Sequence, residues 1–247
     1  MMTRATIGDA TLLLADCRDV LSSLGMVDVT ITDPPYSADT HRGARTIRDL
    51  GRSPIDFPHF TLEEFLSSAS MLVGMTRRWV VMTCDFRHAG KLEECGLPLV
   101  RPGVWVKPNG APQFSGDRPG MGFESVAILH RPGKKFWNGG GHHAVWIVPR
   151  TEGEHPAEKP LALVSEWVRL FSEPGETVLD PFMGSGTTGV ACLKLGRRFI
   201  GIEIEERYFD LSCRRLERAH REPDLFRDMK APIEQRTLFD DWSDATT

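Results

Sequence analysis

The sequence lacks several features that would point to a common class of protein. It has no C-x-x-C pair, and its five cysteines are scattered and odd in number, which favours free thiols in a reducing compartment over disulfides or a zinc site. No apolar run approaches the roughly 18 residues that a membrane-spanning helix needs, and the N-terminus has no signal-peptide layout. We therefore expect a cytoplasmic protein that holds no metal.

An excess of positive charge is also missing, since the formal net charge is −4 at pH 7. This excludes a surface coated in positive charge but leaves room for a local basic face, which is all that nucleic-acid binding requires. Two stretches concentrate arginine and lysine, although such runs are also common on solvated faces. They contain Arg42, Arg45, Arg48 and Arg52, and then Arg101, Lys107, Arg118, Arg131, Lys134 and Lys135.

Short β-rich runs alternate with segments of helical period along the chain, which is typical of βαβ units and a mainly parallel sheet. Strands are predicted at residues 11–16, 27–32, 78–85, 104–107, 124–130, 144–148, 176–180 and 197–203. Helices are predicted at residues 61–75, 159–171, 187–196 and 205–220, the first opened by a capping box of Thr61 and Glu64. We therefore predict an α/β fold with one domain over residues 1–220, an irregular insertion at about 107–141 and a mobile tail at 221–247.

The stretch ITDPPYS, residues 31–37, directly overlaps the end of one predicted strand. Proline has no N–H and fixes its own φ, so Pro34 and Pro35 form a stiff segment that offers acceptors and no competing donors. Ligands of open α/β sheets bind at the carboxyl edge, where the Asp33 carboxylate, the Pro34 carbonyl and the Tyr36 ring suit an amino group lying against an aromatic ring. The alternative is a strand that ends in a proline turn, with Tyr36 as ordinary packing.

A second motif runs from residue 176 to residue 210 and joins two predicted strands through a glycine-rich turn and a helix. The glycines allow close backbone approach to a ligand, and an acid after the second strand, Glu203, suits ribose hydroxyls. The turn spells G-x-G-x-x-G from Gly184 to Gly189, so a nicotinamide or flavin oxidoreductase is one alternative. The Asp180-Pro181-Phe182 strand end and the DPPY tetrapeptide both point away from that alternative.

The combination of DPPY, DPFMGSGTT and the intervening HPAEKP resembles the S-adenosylmethionine-dependent DNA amino-methyltransferases that modify adenine N6 or cytosine N4. The order resembles the permuted subgroup in which the catalytic motif precedes the cofactor motif, and the resemblance covers residues from about 11 to about 220. It implies a Rossmann-like methyltransferase fold with a mostly parallel sheet and helices on both faces. No endonuclease-like segment is left over, which suggests a stand-alone enzyme of the kind found in phages and prophages.

The resemblance also implies roles for individual residues. The catalytic tetrapeptide would be Asp33, Pro34, Pro35 and Tyr36. The cofactor S-adenosylmethionine would be bound by Asp16, Cys17, Lys159, Pro160, Asp180, Phe182, Gly184, Ser185, Gly186, Thr187 and Glu203, with Lys159 and Pro160 closing over its methionine end. The alternatives are that Asp16 and Glu203 are acids that begin helices, and that Lys159 is a surface charge.

These residues fit the chemistry of methylating an exocyclic amino group, whose lone pair is delocalised into the ring. Acceptors on both N–H groups localise that pair, and the target base would have to flip out of the DNA duplex. Aspartate as the first residue of the tetrapeptide favours adenine N6, with cytosine N4 as the alternative. A DNA-binding protein without catalysis is a further alternative, although the intact motifs speak against it.

The sequence says least about the partners of the protein. Double-stranded DNA would be contacted by the segments 39–52 and 107–141, with Arg42, Arg45, Lys107 and Arg118 as candidates, although Arg118 would also suit an ion pair with Glu124. The tail sequence EQRTLFDD resembles the short peptide by which bacterial proteins dock on the replication sliding clamp, through Gln235, Leu238 and Phe239. The expected oligomeric state is a monomer or a homodimer.

Overall fold

A single sheet organises the part of the chain that the computed structural model describes, which is residues 3–35, 60–110, 119–151 and 157–222. The strands of these residues are β1 (Thr3–Ile7), β2 (Ala10–Leu14), β3 (Val29–Thr32), β4 (Trp79–Cys84), β5 (Leu99–Val106), β6 (Phe123–His130), β7 (Val145–Ile147), β8 (Thr177–Asp180) and β9 (Arg198–Glu203). The helices are α1 (Cys17–Val20), α2 (Leu62–Met75), α3 (Phe86–Glu94), α4 (Leu161–Phe171), α5 (Thr187–Lys194) and α6 (Glu206–Arg221), with a 3-10 turn at Leu21–Ser23.

The strand order is β1-β2-β9-β8-β3-β4-β6-β5-β7. Its centre is the run β2-β9-β8-β3-β4, in which every neighbouring pair is parallel. Antiparallel pairs join β1 to β2, β4 to β6 and β6 to β5, and β7 lies parallel to β5 at the far edge. The predicted mostly parallel sheet is therefore confirmed.

Helices cover both faces of this sheet because the central strands are apolar on both sides. Along β4 the side chains alternate, so that Trp79 and Val81 join the core under α4, α5 and α6 while Val80 and Met82 join the core under α1, α2 and α3. Trp167 of α4 is among the largest buried side chains of the first core. Helices on both faces, as predicted, leave the carboxyl ends of the central strands as the open edge of the fold.

The eight predicted strands and four predicted helices are all present, and the capping box of Thr61 and Glu64 closes in both directions. Three elements were missed. Strand β1 returns to β2 through a tight turn at Gly8, whose φ is +54°, and helices α1 and α3 are short. Helix α3 is short and buries only Ala89 and Leu92, so few apolar positions mark it in the sequence.

The predicted insertion at 107–141 contains part of the scaffold. Strand β6, Phe123–His130, lies between β4 and β5 in the sheet, and Val126, Ala127 and Leu129 are buried. The irregular parts among the described residues are therefore 107–110, 119–122 and 131–141. Among the described helices, none has both the length and the apolar character to cross a membrane.

Candidate active site

Acidic residues stand at the carboxyl ends of all five central strands. Glu203 and Asp180 are the last residues of β9 and β8, Asp33 and Asp85 directly follow β3 and β4, and Asp16 lies two positions beyond β2. Because these strands are parallel neighbours, the acids form a row along one edge of the sheet. Sequence reasoning missed only Asp85, which caps the N-terminus of α3 through the backbone N–H of Arg87.

Asp33 is held from two directions. The hydroxyl of Thr83, near the end of the adjacent strand β4, donates to Oδ1, and the ammonium group of Lys159 donates to Oδ2. The Asp33 side chain is 26% exposed, so its carboxylate lies at the rim of the site rather than in the core. Pro34 is buried and Pro35 is half-buried.

Lys159 contacts two carboxylates of the site. Its side chain is only 10% exposed, and its Nζ lies 3.4 Å from Oε2 of Glu124 in addition to its contact with Asp33. Burial lowers the pKa of Lys159, but the two carboxylates outweigh burial and the net pKa is raised. The ammonium group is therefore charged at neutral pH, and the alternative of a solvated surface charge is wrong.

Lys107 belongs to the same cluster. Its Nζ lies 2.6 Å from Oε1 of Glu124 and 5.0 Å from the centre of the Trp105 ring, and its side chain is 14% exposed. Lys107 is therefore held in an ion pair and does not lie on an open surface, and its contact with DNA stays a prediction. Neither Glu124 nor Thr83 was assigned to the site from the sequence.

Asp180 lies deeper than Asp33. It is 4% exposed, and its carboxylate accepts hydrogen bonds from the hydroxyls of Thr32 and Thr188, each at 2.7 Å, and from the N–H of Phe182 at 3.2 Å. Burial raises the pKa of Asp180 to about 6, against the opposing effect of the three donors. These bonds tie the end of β3 and the start of α5 to the DPF turn.

The glycine turn is shaped by backbone geometry and by packing. Gly184 and Gly186 have φ values of +51° and +78°, which L side chains rarely adopt. A Cβ on Gly186 would also lie 2.8 Å from Cβ of Ser212 on α6. Packing against α6 is therefore one structural reason for a glycine at position 186, beside its predicted place in the cofactor turn.

Glu203 closes the turn from the side of β9. It is 8% exposed, and its carboxylate accepts the N–H of Gly184 at 2.9 Å and the N–H of Glu205 at 2.8 Å. Burial raises its pKa, against the effect of these donors. Each carboxylate oxygen has two acceptor sites, so Glu203 retains capacity for hydroxyl groups of a ligand.

Arg215 of α6 connects the glycine turn to the segment that precedes α4. Its guanidinium donates to the carbonyl of Ser185 at 2.9 Å and to Oε1 of Glu158 at 2.8 Å. Ser185 and Thr187 are both buried, and their hydroxyls lie 3.4 Å apart. Pro160 is buried as the residue before α4. The cofactor motifs predicted from the sequence are thereby brought together in space.

Asp16 caps α1, as one of the sequence alternatives proposed. Its carboxylate accepts the backbone N–H of Arg18 at 2.9 Å and also contacts the Arg18 guanidinium, which lowers the pKa of Asp16. Burial raises the pKa of the neighbouring Cys17 to about 11, so this thiol is neutral. Cys17 lines a cleft of about 250 Å³ together with Phe60 and Phe182, whose rings meet edge to face at 5.5 Å.

Several predicted residues lie outside the described residues. These are Tyr36, Arg42, Arg45 and Arg118, and, in the tail, Gln235, Leu238 and Phe239. Within the described ranges no cluster of histidine, cysteine and acidic side chains is arranged to hold a metal ion.

Comparisons with known proteins identify the family and the fold. Residues 27–214 match the family model N6_N4_Mtase, described as DNA methylase. Since this match spans most of the chain, the protein belongs to the N6/N4 DNA methylases, a family of S-adenosylmethionine-dependent enzymes.

Curated relatives match over part of their length. The type II methyltransferase M.BglI of Bacillus subtilis is 36% identical over 141 residues, which are 51% of this chain and 40% of that protein. The type II methyltransferase M.Cfr9I of Citrobacter freundii is 34% identical over 146 residues, which are 53% of this chain and 49% of that protein. The matched part of the chain thus spans less than half of either relative.

Solved structures match over more of the chain. The complex of M1.HpyAVI with SAM has a TM-score of 0.65 at 28% identity and covers 84% of this chain and 98% of that one. The cytosine-N4-specific PvuII DNA methyltransferase has a TM-score of 0.69 at 18% identity, covers 85% of this chain and 87% of that one, and shows the fold alone. The expected methyltransferase fold is confirmed.

Proposed function

We propose that this protein transfers a methyl group from S-adenosylmethionine to the exocyclic N6 of adenine in DNA, by direct attack on a flipped-out base. The observation that carries the proposal is the Asp33 carboxylate at the open edge of the sheet, followed by two prolines and held by Thr83 of the next strand. It stands in a chain of the N6/N4 DNA methylase family, whose reaction needs an acceptor for an amino group.

Asp33 and Pro34 each supply one acceptor for the two N–H groups of the target amino group. Asp33 accepts one N–H as a charged acceptor, and the carbonyl of Pro34 accepts the other. These two bonds draw the lone pair out of the ring and stabilise the positive charge that develops on nitrogen. Thr83 fixes the orientation of the Asp33 carboxylate, so that little reorganisation is needed during the reaction.

The residues around the glycine turn fit the cofactor. Glu203 retains acceptor capacity for the ribose hydroxyls, and the cleft beside Phe182, Phe60 and Cys17 offers an apolar slot next to the Asp16 carboxylate. When bound, S-adenosylmethionine supplies a methyl group on a positively charged sulfur. We assign Gly184, Ser185, Gly186 and Thr187 to the turn that holds it, with Asp180 supporting that turn from the core.

The surplus proton of the methylated amino group has one nearby acceptor in this scheme. Asp33 contacts that nitrogen and is partly open to solvent, so it accepts the proton and passes it to water. Lys159 carries a proton already, because its pKa is raised, and is therefore no alternative base.

The choice of base depends on the aspartate that opens the tetrapeptide, which favours adenine N6. Cytosine N4 is the alternative, since its amino group requires the same two acceptors. DNA contacts through Arg42, Arg45, Lys107 and Arg118, stacking on Tyr36, the clamp peptide and the oligomeric state remain predictions from the sequence.

The test is incubation of the purified protein with unmethylated bacterial DNA and radiolabelled S-adenosylmethionine, followed by mass spectrometry of the nucleosides. We expect N6-methyladenine from the wild type and none from Asp33→Ala. N4-methylcytosine in its place would leave the mechanism standing and change the base. DNA without label, from protein that binds the cofactor, would contradict the proposal.

A further inference from the structure

Four charged side chains of alternating sign form a chain that begins at Asp33. Lys159 contacts Asp33, Glu124 lies 3.4 Å from Lys159, and Lys107 lies 2.6 Å from the other oxygen of Glu124. The residues come from four separated parts of the sequence, and all four side chains are between 10% and 26% exposed. A cluster of partly buried charges beside a candidate catalytic carboxylate is a candidate for a functional role as well as a structural one.

The contact between Lys159 and Asp33 conflicts with the proposed chemistry. The target amino group needs an oxygen of Asp33 as its acceptor, and since Thr83 and Lys159 each donate to one of the two oxygens, it would have to share an oxygen with one of them. An ammonium group next to the reacting nitrogen would also oppose the positive charge that develops there. The base is accommodated best if Lys159 leaves Oδ2 when the base arrives.

Glu124 is a second acceptor that the ammonium group of Lys159 can reach. Its Oε2 is 3.4 Å from the Lys159 Nζ, so a short rotation of a flexible four-carbon side chain converts the looser contact into the closer one. A move into bulk water would require a larger change, because the Lys159 side chain is nine-tenths buried. The backbone of Lys159 is restricted by the following Pro160, so the shift falls to the side chain.

We propose that Lys159 is a positioning residue that occupies Oδ2 of Asp33 until the target amino group arrives, and that Glu124 then receives its ammonium group. This inference rests on the proposed function, since it requires a base amino group at Asp33. Before the base arrives, Lys159 compensates the charge of Asp33 and holds its orientation. Lys107 holds Glu124 in place on the opposite side.

The test is the variant Glu124→Gln, which keeps the shape of the side chain and removes the charge that receives Lys159. We expect the KM for DNA to rise by about tenfold or more, the worth of one hydrogen bond between charged groups. The Kd for S-adenosylmethionine, measured by calorimetry, should stay within about twofold, since Glu124 is not among the residues assigned to the cofactor. Glu166→Gln is the matched control, because it removes an acid from a remote ion pair with Arg169 on α4 and should leave both values unchanged.

A second variant separates this role from a purely structural one. Lys159→Met removes the ammonium group that has to move, so Glu124→Gln should have little further effect on the KM for DNA in that background. Thermal melting of all variants identifies any that fail to fold, and if Lys159→Met is one of them, the KM for DNA of Glu124→Gln still tests the inference by itself.

Three results would overturn the inference. They are an unchanged KM for DNA in Glu124→Gln, an equal rise in KM with and without Lys159, or an effect on cofactor Kd alone. A failure of the proposed function looks different, because the wild type itself would then transfer no methyl group to DNA, and the inference would fall with it.

Discussion

Two neighbouring parallel strands, β3 and β8, both run into an Asp-Pro pair, yet the two carboxylates have opposite surroundings. Asp180 is 4% exposed, and its donors among the described residues are neutral, two hydroxyls and one N–H. The side chain of Asp33 is 26% exposed and contacts an ammonium group. A buried acid among neutral donors organises a turn, whereas an acid at the rim with a charged partner is suited to exchange that partner for a substrate.

The largest effect should come from Asp33. Asp33→Asn keeps the size of the side chain but removes the charged acceptor and the base, so the rate of methyl transfer should fall by about 1,000-fold, within the range of general-base catalysis. The Kd for the cofactor should change little, because Asp33 is assigned to the target base and not to the cofactor. A rate within tenfold of the wild type would remove Asp33 from the chemistry.

Asp180 should affect how the free energy of unfolding depends on pH. Its folded pKa of about 6 lies above the ordinary value of 3.8, so the folded protein binds a proton more tightly than the unfolded chain between these pH values. The stability that the protonated Asp180 contributes is present below pH 3.8 and is lost as the pH rises to about 6, by up to about 3 kcal/mol.

The measurement is the free energy of unfolding by denaturant, without cofactor, for the wild type and Asp180→Asn across that range. The difference between wild type and variant should decline from pH 4 to pH 6 and level off above pH 7. A constant difference would mean that Asp180 titrates at its ordinary value.

A matched pair of threonine variants sharpens the comparison. Thr83→Val removes the hydroxyl donor to Asp33 and should lower kcat by about tenfold. Thr188→Val removes a donor to Asp180 and should lower the free energy of unfolding by about 1–3 kcal/mol with less effect on kcat. Steady-state kinetics and denaturant titrations of both variants test this assignment. A larger loss of kcat in Thr188→Val, with a larger loss of stability in Thr83→Val, would reverse the roles of the two aspartates.

The smallest effect should come from the ion pair at the first strand end. The Arg18 side chain is 68% exposed, and exposed pairs contribute little to stability. Arg18→Ala should therefore leave the melting temperature almost unchanged in a thermal scan. The difference from the wild type should be smaller still at high salt, which screens the ion pair. A large drop would show that Asp16 needs this partner to cap α1.

The sequence predicted the strands well because their apolar runs are β-branched and end on acids. It also placed Asp33, Asp180 and Glu203 at the ends of predicted strands, and the parallel order of those strands brings the three acids to one edge of the sheet. Helix α3 escaped prediction because it buries only two side chains. At Gly186 the structure adds a packing reason that the sequence could not show, because a Cβ there would meet Ser212 of α6.

The contacts of Asp33 were beyond the reach of sequence reasoning. Lys159 is 126 positions away from Asp33 and Thr83 is 50 positions away, so both contacts depend on the order of strands in the sheet. Periodicity predicts strands but not which strands are neighbours. Lys159 was assigned to the cofactor from its motif, and the structure adds its pairing with Asp33 and Glu124.

The most direct test of this account compares Asp33→Asn and Asp180→Asn in one experiment, as single-turnover methyl transfer to DNA at pH 8 with saturating cofactor. We expect the rate to fall by about 1,000-fold in Asp33→Asn and by less than about tenfold in Asp180→Asn, because only Asp33 contacts the reacting amino group. Equal losses in the two variants, or a larger loss in Asp180→Asn, would contradict the assignment of Asp33 as the acid that meets the target base.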